Sequence, residues 1–269
     1  MSDLNEIELP DGTVRKLGNV HAPLAKAWTV YGDTPNTPLV LRSEWPAIVA
    51  ACMPAEQSPY LPPTHDQNGV GMCNCSATTG AMESQRMKQG LGYLKLSAGD
   101  LYNRIHVGRG DNGSLLEDGI HEASTVGVAG VAVVPYLDWQ RSYAGAAADR
   151  PRFRVLEAYL CPEFDHCFSA VAAGFDLISG ISWFSNYTPD SDGWLPAPRG
   201  KSGGHAIHGY KPTMRNGRYG IWHQNSWSDR WGIHGRFVIP EACYDNAIGG
   251  WWAVRSVVDE GGVVPSLKA

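Results

Sequence analysis

Charge is scarce in this chain, and neither sign dominates. Only 18% of its 269 residues are charged, and 22 basic against 27 acidic residues leave a net charge of −5. A protein that binds nucleic acid or an anionic membrane surface carries a basic excess, so both partner classes are excluded. Long apolar runs are missing as well. The longest uncharged, mostly apolar stretch runs from Ala123 to Leu137 and is broken by Ser124, Thr125, Gly127, Gly130 and Pro135. It falls short of the ~20 residues a bilayer span needs. The opening residues, Met1-Ser2-Asp3-Leu4-Asn5-Glu6, have neither the basic start nor the apolar stretch of a secretory leader, which points to a cytoplasmic protein. Cysteine is sparse too: Cys52, Cys73, Cys75, Cys161, Cys167 and Cys243. Without a leader these read as free thiols rather than a disulfide framework.

What is present is a globular composition, 43% hydrophobic, with 31 glycines and 18 prolines marking many turns. Residues 6–18 read as a hairpin turned by Pro10-Asp11-Gly12. Residues 20–66 are rich in proline and read as extended wrapping, with one short helix near 45–52. Residues 73–89 read as a central buried helix whose small residues Ala77, Gly80, Ala81 and Ser84 let other backbone approach. A second helix is expected over 114–124, with Ser114 and Glu117 forming a capping box. From about residue 125 the runs VGVAGVAVV, FRVLEAYL, FDLISGISWF, HAIHGY, YGIWHQNSW and GRFVIP read as short strands. Helices first and strands later indicate an α+β protein with two segregated halves.

The chemistry-bearing residues begin at Cys73. A cysteine in the first turn of a helix sits at the positive end of the helix dipole, which favours the thiolate nucleophile. Such a nucleophile needs a histidine to hold a proton and a group behind it to orient the ring. The candidates are His205, in Gly203-Gly204-His205-Ala206-Ile207, and Asn225, in Asn225-Ser226-Trp227-Ser228-Asp229-Arg230-Trp231-Gly232. They lie 132 and 152 residues beyond Cys73, the separation typical of one class of cysteine hydrolase.

These segments resemble the papain-like cysteine peptidases across roughly residues 61–245. Gln67 stands six residues before Cys73, as the family's oxyanion-hole glutamine does. GGHAI resembles the segment of the general-base histidine. NSWSDRWGIHGRFVIP resembles the family's Asn-Ser-Trp run almost position for position. GDNGSLLEDGIHEASTVGV resembles the Gly-rich segment that borders the substrate cleft. The resemblance implies a two-lobed α+β fold. A helical lobe spans about 61–135 and an antiparallel β-barrel-like lobe about 136–245, with the active cleft between them. Residues 1–60 form an N-terminal extension acting as a strap, lid or pro-like segment, and 246–269 a C-terminal strand and tail.

The implied catalytic residues are Cys73, His205, Asn225 and Gln67. The implied substrate-binding residues are Gly110, Asp111, Asn112, Gly113, Ser114, Gly204 and Trp227. The implied activity is peptide-bond hydrolysis by a monomer acting on a peptide or protein substrate, with no metal or organic cofactor. The same residues would serve an amidase, an isopeptidase, a cell-wall peptide hydrolase, a transglutaminase-like enzyme or a non-catalytic scaffold. The chain also departs from the family. Met72, Asn74 and Val70 replace the usual Ser, Trp and Cys around the nucleophile. The two positions of a family disulfide are Val70 and Asp111, so both of its ends are lost together, as suits a reducing compartment.

Overall fold

Asp11 and Gly12 reverse the chain near its start. The Asp11 carboxylate accepts the Thr13 N–H, Gly12 takes φ +81°, and β1 (Glu6–Glu8) pairs antiparallel with β2 (Val14–Lys16). The computed structural model describes residues 5–9, 11–52 and 58–258, so Pro10 of the expected turn lies outside them. The chain then continues into β3 (Asn19–Val20) and a long extended segment leading to α1 (Trp45–Ala51), whose first turn holds Pro46, where its missing N–H costs nothing.

Three helices form the first half. α2 (Cys73–Lys88) is buried from Cys73 through Arg86. Its small residues let it lie close against the sheet: a side chain added at Gly80 would meet the His208 ring at 3.4 Å. α3 (Ala98–Ile105) is capped by Ser97, whose hydroxyl accepts the Asp100 N–H. β4 (Ser114–Leu115) precedes α4 (Leu116–Thr125). The expected capping box is not formed. Leu115 occupies the cap, Ser114 Oγ accepts from Asn74 Nδ2, and Glu117 is turned to the N-terminal segment. Its carboxylate there accepts the N–H groups of Ala25, Lys26 and the Trp28 indole. Three donors outcompete the single one a capping box offers.

The valine-rich run after α4 is not a strand. Gly127 takes φ +92°, and the amides of Val128 and Val131 bond to Phe153 O and Lys95 O in separate loops. A short helix, α5 (Ala146–Asp149), follows. The sheet then begins with β5 (Arg154–Leu160), α6 (Phe164–Ala172) and β6 (Asp176–Phe184). It continues through β7 (Ser202–Arg215), β8 (Arg218–Gln224), β9 (Arg236–Pro240) and β10 (Ala247–Val258). α6 interrupts the region whose composition indicates short strands. Phe164, Cys167, Phe168 and Val171 form its buried stripe at helical spacing.

The six strands run β5-β10-β6-β7-β8-β9, each antiparallel to its neighbour. β5 and β9 are the two edges, so the sheet is open and twisted, not a closed barrel. β10 is an inner strand although it comes last in the chain. Alternate residues on the inner strands face two cores. Leu177, Ile181, Ile207 and Trp251 join the aromatic core around α6, while Ile178, Ala206 and Trp252 pack with α2. Among the described residues no helix is long and apolar enough to cross a membrane.

Candidate functional site

Cys73 is the first residue of α2, His205 lies in β7, and Asn225 directly follows β8. All three are buried, His205 and Cys73 completely. His205 Nε2 lies 2.8 Å from Asn225 Oδ1, which also accepts the Ser226 N–H at 2.8 Å. Two donors on one atom identify it as the amide oxygen. An amide oxygen only accepts, so His205 carries its proton on Nε2. Its Nδ1, buried and without a hydrogen-bond partner, keeps a lone pair. Trp227 stacks on the ring at 4.6 Å, and Trp183 meets it edge-on at 5.2 Å. Trp231 packs against Trp227 in turn, so the ring is walled by indoles.

Gln67 is held at both ends of its side chain. Ser226 Oγ donates to its Oε1 at 2.6 Å, and its Nε2 donates to Val70 O at 2.7 Å and Lys16 O at 2.9 Å. The last contact brings a peptide carbonyl from the N-terminal segment onto the amide of Gln67. The same segment continues past Cys73. The backbone amide of Gly18 faces the Cys73 sulfur, as does that of Ala206. Gly18 O accepts the Ser114 N–H at 2.8 Å, and β3 then pairs with β4 in parallel register, Asn19 opposite Ser114.

The fit is backbone against backbone. A Cβ on Gly18 would lie 1.9 Å from Gly71 O, and one on Gly204 would lie 1.8 Å from Asn19 O. A Cβ on Gly113 would lie 2.2 Å from Gly18 O. Glycine at these three places is what lets the segment lie between the two walls. Asp111 fastens it: Oδ2 accepts from Lys16 Nζ at 3.0 Å, while Oδ1 accepts the Gly71 N–H at 2.9 Å and the Tyr102 hydroxyl at 2.7 Å. Arg15 adds an ion pair to Asp66 at 3.1 Å. Gly110 and Asn112 are exposed at the rim.

This enclosure reverses the expected titration of Cys73. Burial pushes its thiol up to about 11, against the opposing pull of the surrounding amides. Burial likewise holds His205 down to about 4, although its Asn225 partner favours the charged ring. Water is the solvent that a thiolate and an imidazolium need, and the inserted segment excludes it. Cys75, fully buried in the first turn of α2, is pushed well above an ordinary thiol, again chiefly by burial.

The residues selected from sequence thus converge on one cleft: Gln67, Cys73, Asp111, Gly113, Ser114, Gly204, His205, Asn225 and Trp227. Sequence reasoning missed Lys16, Gly18, Asn19 and the positioning hydroxyl of Ser226. Gly18-Asn19 directly after a hairpin was the available signal, but nothing local says which surface the hairpin exit meets. Among the described residues no group of three or more His, Cys, Asp or Glu side chains is placed to hold a metal.

No family model matches the chain, and no curated protein matches it by sequence. Solved structures do match. Xylellain, a cysteine protease from Xylella fastidiosa, shares 18% identity over 95% of this chain and 99% of its own, with a TM-score of 0.68. Procathepsin B S9 from Trypanosoma congolense shares 16% over 90% and 86%, at 0.66. Digestive procathepsin L 3 from the Tenebrio molitor larval midgut shares 17% over 78% and 73%, at 0.61. Helical half, open antiparallel sheet and the cleft between them are therefore those of the papain-like cysteine protease fold.

Proposed function

We propose that this protein is a cysteine peptidase that hydrolyses peptide bonds through Cys73 and holds its own N-terminal segment in the cleft. The observation that carries the reading is the His205–Asn225 contact, with its Nε2 tautomer, in the same cleft as a cysteine at a helix start and a glutamine amide already holding a peptide carbonyl.

Once residues 16–19 leave, water and substrate reach the sulfur. Cys73 passes its proton to His205 Nδ1 and attacks the substrate carbonyl carbon as thiolate. Gln67 Nε2, with the Cys73 backbone N–H, stabilises the oxygen as it becomes negative. Val70 O and Ser226 Oγ hold the Gln67 amide in place for this. His205 then gives its proton to the departing amine, and the acyl-enzyme remains. A water, deprotonated by His205, attacks the thioester and releases the acid. Asn225 keeps the ring aligned throughout, and Trp227 shields the pair from water.

Residues 110–114 form the wall along which a substrate backbone lies, because Ser114 already pairs with Asn19 in strand fashion. The extension is read as an inhibitory strap whose displacement switches the enzyme on. The test is cleavage of a peptide library by full-length protein and by Gly18→Val, with Cys73→Ala as control. Cleavage that persists in Cys73→Ala, or none in any opened variant, rejects the reading. Adding an amine nucleophile separates hydrolysis from transfer to an amine, since the acyl-enzyme is common to both.

A further inference from the structure

One step behind the His205–Asn225 pair lies a small cavity of about 10 Å³, lined by Ala77 and Gly80 of α2, His208 of β7 and Asn225 among others. That is close to the lower bound for a single water molecule. Two of its lining residues carry polar atoms that are buried and lack a hydrogen-bond partner, Asn225 Nδ2 and His208 Nδ1. Their polarities are complementary. Asn225 Nδ2 is a donor, because Oδ1 of the same amide accepts from His205 and Ser226. His208 Nε2 lies 2.8 Å from Asp176 Oδ1, and a carboxylate only accepts, so that nitrogen holds a proton and, in the neutral ring, Nδ1 is an acceptor. A water that accepts from Asn225 Nδ2 and donates to His208 Nδ1 satisfies both.

His208 cannot turn away from this task. Asp176 is fully buried and is itself held by Ser84 Oγ at 3.1 Å, Gln85 Nε2 at 2.6 Å and Lys88 Nζ at 2.8 Å. We propose that one water occupies the cavity and that His208 is a positioning residue, fixing the Asn225 carboxamide through that water. The carboxamide in turn fixes the proton of His205 on Nε2. Without an acceptor for Nδ2, the amide could flip and present its NH2 to a ring nitrogen that also donates. The water site stands on the geometry alone; its value for catalysis rests on the reading that His205 serves Cys73.

The experiment is nitrogen-15 NMR of full-length protein with labelled histidine and asparagine. A long-lived water should give a cross-peak to the Asn225 side-chain amide protons, and His205 should show a single Nε2–H tautomer. His208→Phe removes the acceptor. Gly80→Ala keeps the His208–Asp176 contact and sets a methyl 3.4 Å from His208 Nδ1, taking the water's place. Both should lose the water cross-peak and broaden or split the His205 signal. If His208→Phe does not fold, Gly80→Ala decides. No water cross-peak in the wild type overturns the proposal. So does an unchanged His205 spectrum in a variant that has lost the water. Neither readout needs turnover, so a protein with the expected spectra whose Gly18→Val variant shows no peptide hydrolysis rejects the peptidase reading instead.

Discussion

Gln67 Nε2 donates a 2.9 Å hydrogen bond to the backbone carbonyl of Lys16. A side chain suited to an oxyanion is therefore already satisfied by the chain's own peptide, two residues from the glycine that faces Cys73. The cleft is filled by the chain's own segment, and burial raises the Cys73 thiol and lowers the His205 ring accordingly.

Gly18→Val should expel the segment, because any Cβ there collides with Gly71 O. Opened to water, the thiol should fall from about 11 toward the ordinary range. Iodoacetamide labelling of Cys73 at neutral pH should then speed up by roughly a hundredfold. Equal labelling rates in wild type and variant would show that the segment does not control access.

Acid should loosen the closed form. His205 is held near 4 in the fold against 6.5 for a free ring, and His223, buried beside Ser179, near 3. Both lowered values favour the neutral ring. Their stabilisation is full above pH 6.5 and is lost as pH falls toward 4 and 3. For His205 the loss is at most roughly 3 kcal/mol. Urea unfolding at pH 7.5 and pH 5 should show the decline, with a shallower slope in His205→Gln. A flat profile between those values contradicts the buried neutral rings.

Asp111 joins the two segments that the family resemblance marks as the ends of a lost disulfide. Its Oδ1 accepts the Gly71 N–H where a sulfur bridge would otherwise run from residue 70. Asp111→Ala strands that amide and the Tyr102 hydroxyl and should lower stability by about 1–3 kcal/mol. Asp111→Asn keeps an acceptor for Gly71 but loses the charge that holds Lys16. It should melt near wild type while labelling faster at Cys73. If Asn is as unstable as Ala, the hydrogen bond is not what matters at this position.

In a Gly18→Val background, the roles of the cleft residues should separate in kinetics. Cys73→Ala should abolish peptide hydrolysis and Cys75→Ala leave most of it. Gln67→Ala should lower kcat by on the order of 10²-fold or more, the usual effect of removing one oxyanion donor. Asn225→Ala should be milder than His205→Ala, since it orients the base but moves no proton. A folded Asn225→Ala as inactive as His205→Ala would contradict that ranking.

All six cysteines are free thiols in the structure. Reductant should therefore leave the melting temperature unchanged and protect Cys73 from oxidation once the cleft opens. Loss of a native bridge typically costs about 2–5 kcal/mol, so a fall of several degrees in reductant would reveal one.

Much of the fold was legible locally. The Asp11-Gly12 turn, the helix at 73–88 and the strands at 154–160, 176–184, 218–224 and 236–240 follow from turn chemistry and hydrophobic period. So did the cleft residues, because Gln67, Cys73, His205 and Asn225 sit in short motifs at informative spacings. Elsewhere the local signal misled. Ser114 and Glu117 have the pattern of a capping box, but Ser114 pairs with the Gly18–Asn19 segment and Glu117 binds residues 25–28. The valine run at 126–134 has strand composition, yet Gly127 and the loops around it claim its amides.

Local chemistry selects which residues can act as nucleophile, base and oxyanion donor, since those roles depend on side-chain type and near neighbours in sequence. It cannot say that residues 16–19 lie across them, that Asp111 ties Lys16 and Gly71 together, or that His208 and Asn225 share a cavity. Those contacts join residues from 17 to about 190 positions apart, and they exist only because the sheet and α2 bring their backbones within hydrogen-bond distance. The titration of Cys73 follows the same division. The helix start that favours a thiolate is written in the sequence. The exclusion of water that overrides it is a property of the packed chain alone.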